Sequence, residues 1–299
     1  MNRKHKILKH IDKNKIGLEI GPSHSPIAPK SEGYNVHIVD HIDKDSLIEK
    51  YRPHNVAVEK IEDVDFIWRG EPYSELTGTT MYYDWIIASH VIEHTPDLVS
   101  FINNCAEILK ENGVLSLAVP DARFCFDCLR PLTGISKIID SHLQKVKVHS
   151  LGTALEYVSG ISTSKKRATW GYGKARGNYE LIHSQNEVMS IMQTYTSTEE
   201  YSDFHAWCFT PHSFRLLIHD LNLLGLISLK EISFDSTRGC EFYITLGQEG
   251  MGPKLSRIEL MKKIRAEQCV DTSFTELLKF KVDHWITYIR QKVAEYAHV

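Results

Sequence analysis

Asp84-Trp-Ile-Ile-Ala-Ser-His-Val-Ile-Glu-His-Thr-Pro-Asp97, with the run from Leu98 to Pro120 behind it, reads as strand, helix, strand. Residues 84–88 are an apolar run of strand length that ends in polar residues. Thr95 is placed to cap the helix, Pro96 suits its first turn and Asp97 complements its dipole. Leu98, Phe101, Ile102, Cys105, Ile108 and Leu109 recur at helical spacing, and Gly113 is the expected stop. Residues 114–119 then form an apolar run closed by Pro120.

The same alternation extends in both directions. Upstream, Ile16-Gly-Leu-Glu-Ile20 ends at Gly21-Pro22 and predicts a buried strand. Val36-His-Ile-Val39, ending at Asp40, predicts a second, and Val56-Ala-Val58 a short third. Downstream, a helix is expected from Thr210-Pro211, with the stripe Phe214, Leu217, Leu221 and Leu224 and its end at Gly225. Strands follow at 226–233 and 241–246, separated by a Thr-Arg-Gly turn. Strands alternating with helices imply a mostly parallel sheet covered on both faces. The last two strands are separated by only about seven residues, too few for a helical crossover, so they should pair antiparallel.

Composition narrows the class. The 299 residues are 42% apolar and 24% charged, with a net charge of −3, a globular mix without a nucleic-acid or anionic-membrane signature. No run approaches the eighteen or so apolar residues of a membrane span. The Lys- and His-rich first fifteen residues lack a signal-peptide core, and the six irregularly spaced cysteines suit a reducing compartment, so a cytoplasmic protein is expected. Cys125 and Cys128 form a single C-x-x-C without the second pair of a zinc site.

The expected division is a catalytic domain over residues 1–250 and a helical appendage over 251–299. Residues 121–204 interrupt the first as an insertion that follows the carboxyl end of a strand, where it should cover a substrate. Within it, Thr169-Trp-Gly-Tyr-Gly-Lys-Ala-Arg-Gly-Asn178 reads either as a lid or as a surface loop. In the appendage, Leu278, Val282, Trp285, Ile289 and Tyr296 share one helical face, which would cover the core or pair with a second subunit as a homodimer.

Several residues at strand ends suit a ligand. Gly21 lets the backbone approach closely at the sheet edge, and Glu19, a buried carboxylate just before it, suits a ligand ammonium. Asp40 stands twenty-one residues after Glu19, where an acid accepts from both hydroxyls of an adenosine ribose. The phosphate-cradling G-x-G-x-x-G pattern is missing, since no glycine follows Gly21 until Gly33. A Tyr-x-x-x-Lys pair occurs only at Tyr288 and Lys292, which argues against a nicotinamide-dependent oxidoreductase.

Gly17-Leu-Glu-Ile-Gly21-Pro22 resembles the first motif of class I S-adenosylmethionine-dependent methyltransferases, and residues 88–120 resemble their fourth and fifth motifs, in the form of the type 11 branch. The resemblance resumes at His205-Ala-Trp-Cys-Phe-Thr-Pro211 and its hairpin. Asp65-Phe-Ile-Trp-Arg-Gly70 and Pro120-Asp-Ala-Arg-Phe-Cys-Phe-Asp127 are similar to stretches in bacterial members associated with glycosyltransferases and surface-polysaccharide synthesis. The resemblance implies an α/β fold with a Rossmann-like, mostly parallel sheet and an antiparallel C-terminal hairpin. It also implies S-adenosylmethionine as cofactor, with Glu19, Gly21 and Pro22 at its methionine end and Asp40 at the ribose. Asp65 and Phe66 would serve the adenine, with Glu62 or Asp63 as alternatives, and Ala88, Ser89 and His90 would stand beside the sulfonium. Pro22, where a glycine is frequent, should stiffen the first loop.

The activity so implied is methylation of a small or glycan acceptor, with a sugar hydroxyl favoured. A hydroxyl acceptor needs a base near neutral pKa, and His90, leaving the fourth strand toward the reacting centre, is the first candidate. His94 suits support of the helix start, and His205 is the second catalytic candidate, which with Trp207 would line the acceptor pocket or anchor the insertion. Asp121, Arg123, Asp127 and Arg130 follow the fifth strand; the arginines suit an anionic or polyhydroxylated acceptor, or ion pairs with the aspartates. Asp121 with a nearby His or Asp offers metal ligands, but nothing in the spacing requires a metal. The alternative from another class is a non-catalytic domain that binds S-adenosylmethionine.

Overall fold

The computed structural model describes residues 2–54, 56–171, 178–195 and 203–269. Its core is a seven-stranded sheet in the order β3-β2-β1-β4-β5-β9-β8. The strands are β1 (Gly17–Ile20), β2 (Val36–Asp40), β3 (Phe66–Ile67), β4 (Tyr83–Ser89), β5 (Leu109–Pro120), β8 (Lys230–Arg238) and β9 (Glu241–Gly247). β1 to β5 run parallel, and β9 lies antiparallel between β5 and β8. The expected hairpin is therefore present, with its second strand inserted against β5. Strand order reverses between β1 and β4, which opens a crevice at their carboxyl ends.

Successive residues of β1 and β4 feed opposite faces of the sheet, as the pleat requires. Leu18, Ile20, Ile86 and Ala88 join the larger core, covered by α3 (Tyr73–Thr77), α4 (Leu98–Ile108), α5 (Ile135–Leu143) and α8 (Pro211–Leu223). Trp85 and Ile87 join a smaller one with Ile7, Ile27, Ala28, Val36 and Tyr243. This second face is covered by α1 (Arg3–Ile7) and the β1–β2 connection, whose only helical element is the 3-10 turn Lys30–Glu32. Ser116 Oγ donates to Ile7 O at 2.6 Å and Trp85 Nε1 to Asp12 O at 3.0 Å, tying the N-terminal segment to the sheet. At Gly17 an added Cβ would stand 2.2 Å from the Trp85 ring, so the indole lies where only glycine leaves room.

Several expected boundaries move, among them the first hairpin strand, which is expected at 226–233 and runs Lys230–Arg238. The third strand is Phe66–Ile67, while Val58–Lys60 is a 3-10 turn; a two-residue edge strand is too short to carry a period-two signal. α4 begins at Leu98, capped by Asp97, whose side chain accepts from Ser100 N; Thr95 instead closes the 3-10 turn Ile92–His94. That helix stops at Ile108 rather than Gly113, because Leu109 already pairs with Tyr83 of β4. The Thr210 helix matches expectation: Pro211 is its first residue, Thr210 N donates to Ser213 Oγ at 2.8 Å, and Gly225 follows with φ 72°.

Between β5 and α8 the chain forms α5, α6 (Leu151–Gly160), the hairpin β6 (Ser162–Ser164)–β7 (Tyr179–Leu181) and α7 (Gln185–Thr194). It returns to the larger core through Ala206, Trp207 and Phe209. The expected lid falls largely on residues 172–177, outside the described residues. Of the two C-terminal helices, α2 (Lys44–Tyr51) being the remaining helix of the sheet domain, α9 (Arg257–Gln268) is the first; it docks on α8 through Arg257–Asp220 and His212–Glu267 ion pairs. The stripe from Leu278 to Tyr296, and Tyr288 with Lys292, lie outside the described residues. Among the described residues no helix is long and apolar enough to cross a membrane.

Candidate active site

The β1–β2 connection is folded onto two buried carboxylates. Glu19 accepts from Ile27 N at 2.7 Å and Ala28 N at 3.0 Å. Each oxygen thus holds the loop through one backbone N–H, and burial pushes the carboxyl up to about 7 against those two hydrogen bonds. Asp40, at the end of β2, accepts from Ser23 N at 3.1 Å through Oδ2, and from His41 N at 2.8 Å and His41 Nδ1 at 2.6 Å through Oδ1. A carboxylate has about four lone-pair sites, so Oδ2 retains capacity for a hydroxyl donor. Gly21 turns the chain at φ 62°, and an added Cβ would come within 3.1 Å of Val91. Pro22 follows it, accepting from Ser25 N at 2.9 Å. A bare backbone at the crevice mouth flanked by an acid at the end of β2 fits an adenosyl cofactor.

Asp65, just before β3, is tied to β2 through one oxygen. Its Oδ2 accepts from Ile38 N and Lys30 Nζ, each at 2.7 Å, so it fastens β2 to the loop before β3. Asp63, one alternative for the adenine, is paired with Lys44 at 2.9 Å on the surface. Phe66, in β3, stands edge-on to His37 at 5.5 Å and packs against the larger core.

His90 leaves β4 with φ 56°, a left-handed conformation uncommon for a residue with a Cβ. Its N–H donates to Ala118 O at 2.9 Å, and its Nε2 lies 2.8 Å from Glu241 Oε2. Glu241 also accepts from Arg3 Nε at 2.6 Å and Tyr243 OH at 2.9 Å, and Arg3 Nη2 donates to Ser89 Oγ at 2.7 Å. Burial opposes charge on the imidazole, but the Glu241 hydrogen bond and the nearby Glu93 and Glu241 charges win and raise its pKa. Burial likewise opposes charge on Glu241, yet His90 and Arg3 hold that carboxyl down to about 2. Sequence reasoning missed both Glu241 and Arg3. The one available signal was an acid opening the mostly apolar run 241–246.

A second polar group lies where the loop after β4 meets the return of the insertion. His205, buried, places Nδ1 2.5 Å from Asp127 Oδ2, and Arg130 Nη1 donates to Asp127 Oδ1 at 2.6 Å. Burial disfavours the Asp127 charge, but the His205 and Arg130 contacts keep its carboxyl below the usual range. The His205 ring meets His94 edge-on at 4.5 Å. Glu93 between them is fully buried.

The expected acceptor-binding arginines are committed elsewhere. Arg130 is a buried partner of Asp127 and Glu156, which removes it from acceptor contact. Arg123 Nε and Nη2 grip Asp121 at 2.8 and 2.5 Å, and Thr237 Oγ1 donates to the same carboxylate at 2.5 Å. Trp207 is 2% exposed, with Nε1 donating to Thr95 O at 2.6 Å, so it anchors the insertion instead of lining a pocket. Cys125 and Cys128 contact Asp127 and Ser162 separately, and no metal-capable group of three or more among the described residues contains them.

Sheet order, the antiparallel β9 and a ligand crevice at the β1–β4 reversal define a class I methyltransferase. A family model described as a methyltransferase domain matches residues 2–223, three quarters of the chain, and the protein belongs to that family. It is accordingly a methyltransferase, with S-adenosylmethionine as its methyl donor. No curated protein matches. Among solved structures, a S-adenosylmethionine-dependent methyltransferase of Methanosarcina mazei is 14% identical, covers 80% of this chain and 95% of its own, and has a TM-score of 0.39. The CcbJ methyltransferase of Streptomyces caelestis is 10% identical over 83% of this chain and 96% of that one, with a TM-score of 0.41. A structure assigned to Zn-dependent alcohol dehydrogenases, from Rhodobacter sphaeroides, gives 11% identity over 82% and 87%, with a TM-score of 0.44. Likenesses this distant carry no functional argument, and the assignment rests on the family match.

Proposed function

We propose that this methyltransferase methylates a hydroxyl of a small or glycan acceptor, with His90 receiving the proton. The observation that carries the reading is the His90–Glu241 pair at the crevice. Glu241 accepts from Nε2 at 2.8 Å, which fixes the ring and leaves Nδ1 as the basic atom. A sulfonium supplies an already activated methyl group, so the protein's work is to align the acceptor oxygen, exclude water and remove one proton. Asp40 would accept from the ribose, and Gly21 with Pro22 would border the methionine end. Glu19 would act at one remove, by shaping the loop, and Ser89 and Arg3 would complete the wall beside His90.

His205 stands apart from this pair, held by Asp127, and its role here is positional. Residues 121–204 would cover the acceptor, with Asp121 and Arg123 as a preformed ion pair at its edge. The preference for a sugar hydroxyl rests on the resemblance of residues 65–70 and 120–127 to methyltransferases associated with polysaccharide synthesis. Calorimetric titration with S-adenosylmethionine and S-adenosylhomocysteine, with NAD(H) as control, tests the cofactor site. Transfer of a labelled methyl group to a panel of mono- and oligosaccharides tests the acceptor. Micromolar binding of the first two ligands and His90-dependent labelling of a sugar support the reading; labelling of amines alone overturns it.

A further inference from the structure

We propose that Glu93, His94 and His205 form a binding site for a divalent transition metal of the zinc type, where the loop after β4 meets the chain entering α8. One donor atom from each residue lies within 4.8 Å of the others. Donors of a tetrahedral zinc site, at about 2.0–2.2 Å from the ion, stand roughly 3.4 Å apart, so a small inward movement of three side chains completes the sphere.

Glu93 supplies the independent sign that something belongs there. It is 0% exposed, and neither carboxylate oxygen has a hydrogen-bond partner among the described residues. A buried carboxylate without partners is costly, so such a group is normally paired or ligates a metal. The nearest imidazole nitrogens, His90 Nδ1 at 3.5 Å and His94 Nε2 at 3.9 Å, stand beyond the about 2.7–2.9 Å of a charge-assisted hydrogen bond.

Both proposed histidine ligands stand beside carboxylates, as metal-bound imidazoles usually do. His205 Nδ1 faces Asp127 at 2.5 Å and His94 Nδ1 lies 2.8 Å from Asp203, leaving each Nε2 for a metal. Asp127 is in turn held by Arg130. Two imidazoles and one carboxylate are a zinc-type donor set that leaves a fourth position for water or an acceptor oxygen. The backbone is preset as well: Ala206 N donates to Glu93 O at 2.8 Å, which joins the two ligand-bearing segments before any ion binds. A bound ion would clamp the return of the insertion to the sheet edge beside His90. The site does not depend on the methyl acceptor or on binding of the methyl donor.

The test is titration of chelator-stripped protein with Zn²⁺ by calorimetry and with Co²⁺ by visible absorption. It is run on the wild type, Glu93→Gln, His205→Ala and, as control, His142→Ala, with circular dichroism to verify folding. One tightly bound ion per chain is expected, with a Co²⁺ ligand-field spectrum free of thiolate charge transfer. Affinity should fall at least 100-fold in both site variants and remain in His142→Ala. No stoichiometric binding by the wild type overturns the site, as does equal affinity in folded site variants. If those variants do not fold, the wild-type Co²⁺ spectrum decides: thiolate charge transfer places the ion on cysteine and overturns the proposal. Binding of S-adenosylhomocysteine, measured in parallel, separates failure of this site from failure of the cofactor reading.

Discussion

Nε2 of His90 and Oε2 of Glu241 stand 2.8 Å apart, joining residues 151 positions apart in the chain at the carboxyl end of β4 and the start of β9. The contact exists because β9 inserts beside β5, which brings Glu241 opposite Pro120 and within reach of the crevice. His90→Ala is expected to lower kcat by about 10²–10⁴-fold, the usual worth of a general base, with cofactor affinity within a few-fold of wild type. Glu241→Gln keeps the shape but loses the charge and should lower kcat by roughly tenfold. Single-turnover methyl transfer, with cofactor affinity measured separately, checks both.

Asp40→Ala removes the acceptor expected for the ribose hydroxyls. Hydrogen bonds to a charged group are worth about 1.5–3 kcal/mol each, so S-adenosylhomocysteine should bind at least about 10-fold more weakly. Asp65→Asn, whose parent side chain ties Ile38 and Lys30, should change that affinity little. Calorimetry on the two variants separates a ligand contact from a strand fastener.

Arg130 is held between Asp127 and Glu156 with no exposed side-chain surface. Arg130→Met leaves the buried Asp127 without one partner and should cost about 3–5 kcal/mol of stability. Urea denaturation measures it. A loss confined to acceptor KM, with unchanged stability, would restore Arg130 as a substrate ligand.

Glu19 makes stability fall as pH rises. Its folded carboxyl is raised from 4.5 to about 7 by burial, so between those values the folded chain holds a proton that the unfolded chain has released. Its contribution is complete below pH 4.5 and is lost as pH rises through about 7, by about 3 kcal/mol in all. Glu19→Gln cannot ionise and should flatten the wild-type slope across pH 5–7, read as the difference between denaturation curves. A parallel pair of curves would show that another group governs the window.

The alternation of runs near 16–20, 36–40, 84–88 and 114–119, with capped amphipathic helices between them, was enough to predict the parallel sheet and its closing hairpin. These are local signals: period, caps and breakers stand within a few residues of one another. The places of Gly21 and Asp40 were legible for the same reason, since one follows β1 and the other ends β2 at the carboxyl edge of the sheet. The partners of the charged side chains were not. Nothing in the spacing says that Glu19 will fold back on Ile27 and Ala28, that Arg130 will be buried on Asp127, or that Arg3 and Glu241 will meet His90. Sequence by itself determined which segments become strands and helices, because backbone geometry and apolar periodicity act over short range. Only the tertiary structure decided which acids and bases share a site, because burial makes each charge pair with whatever the fold brings within about 3 Å of it.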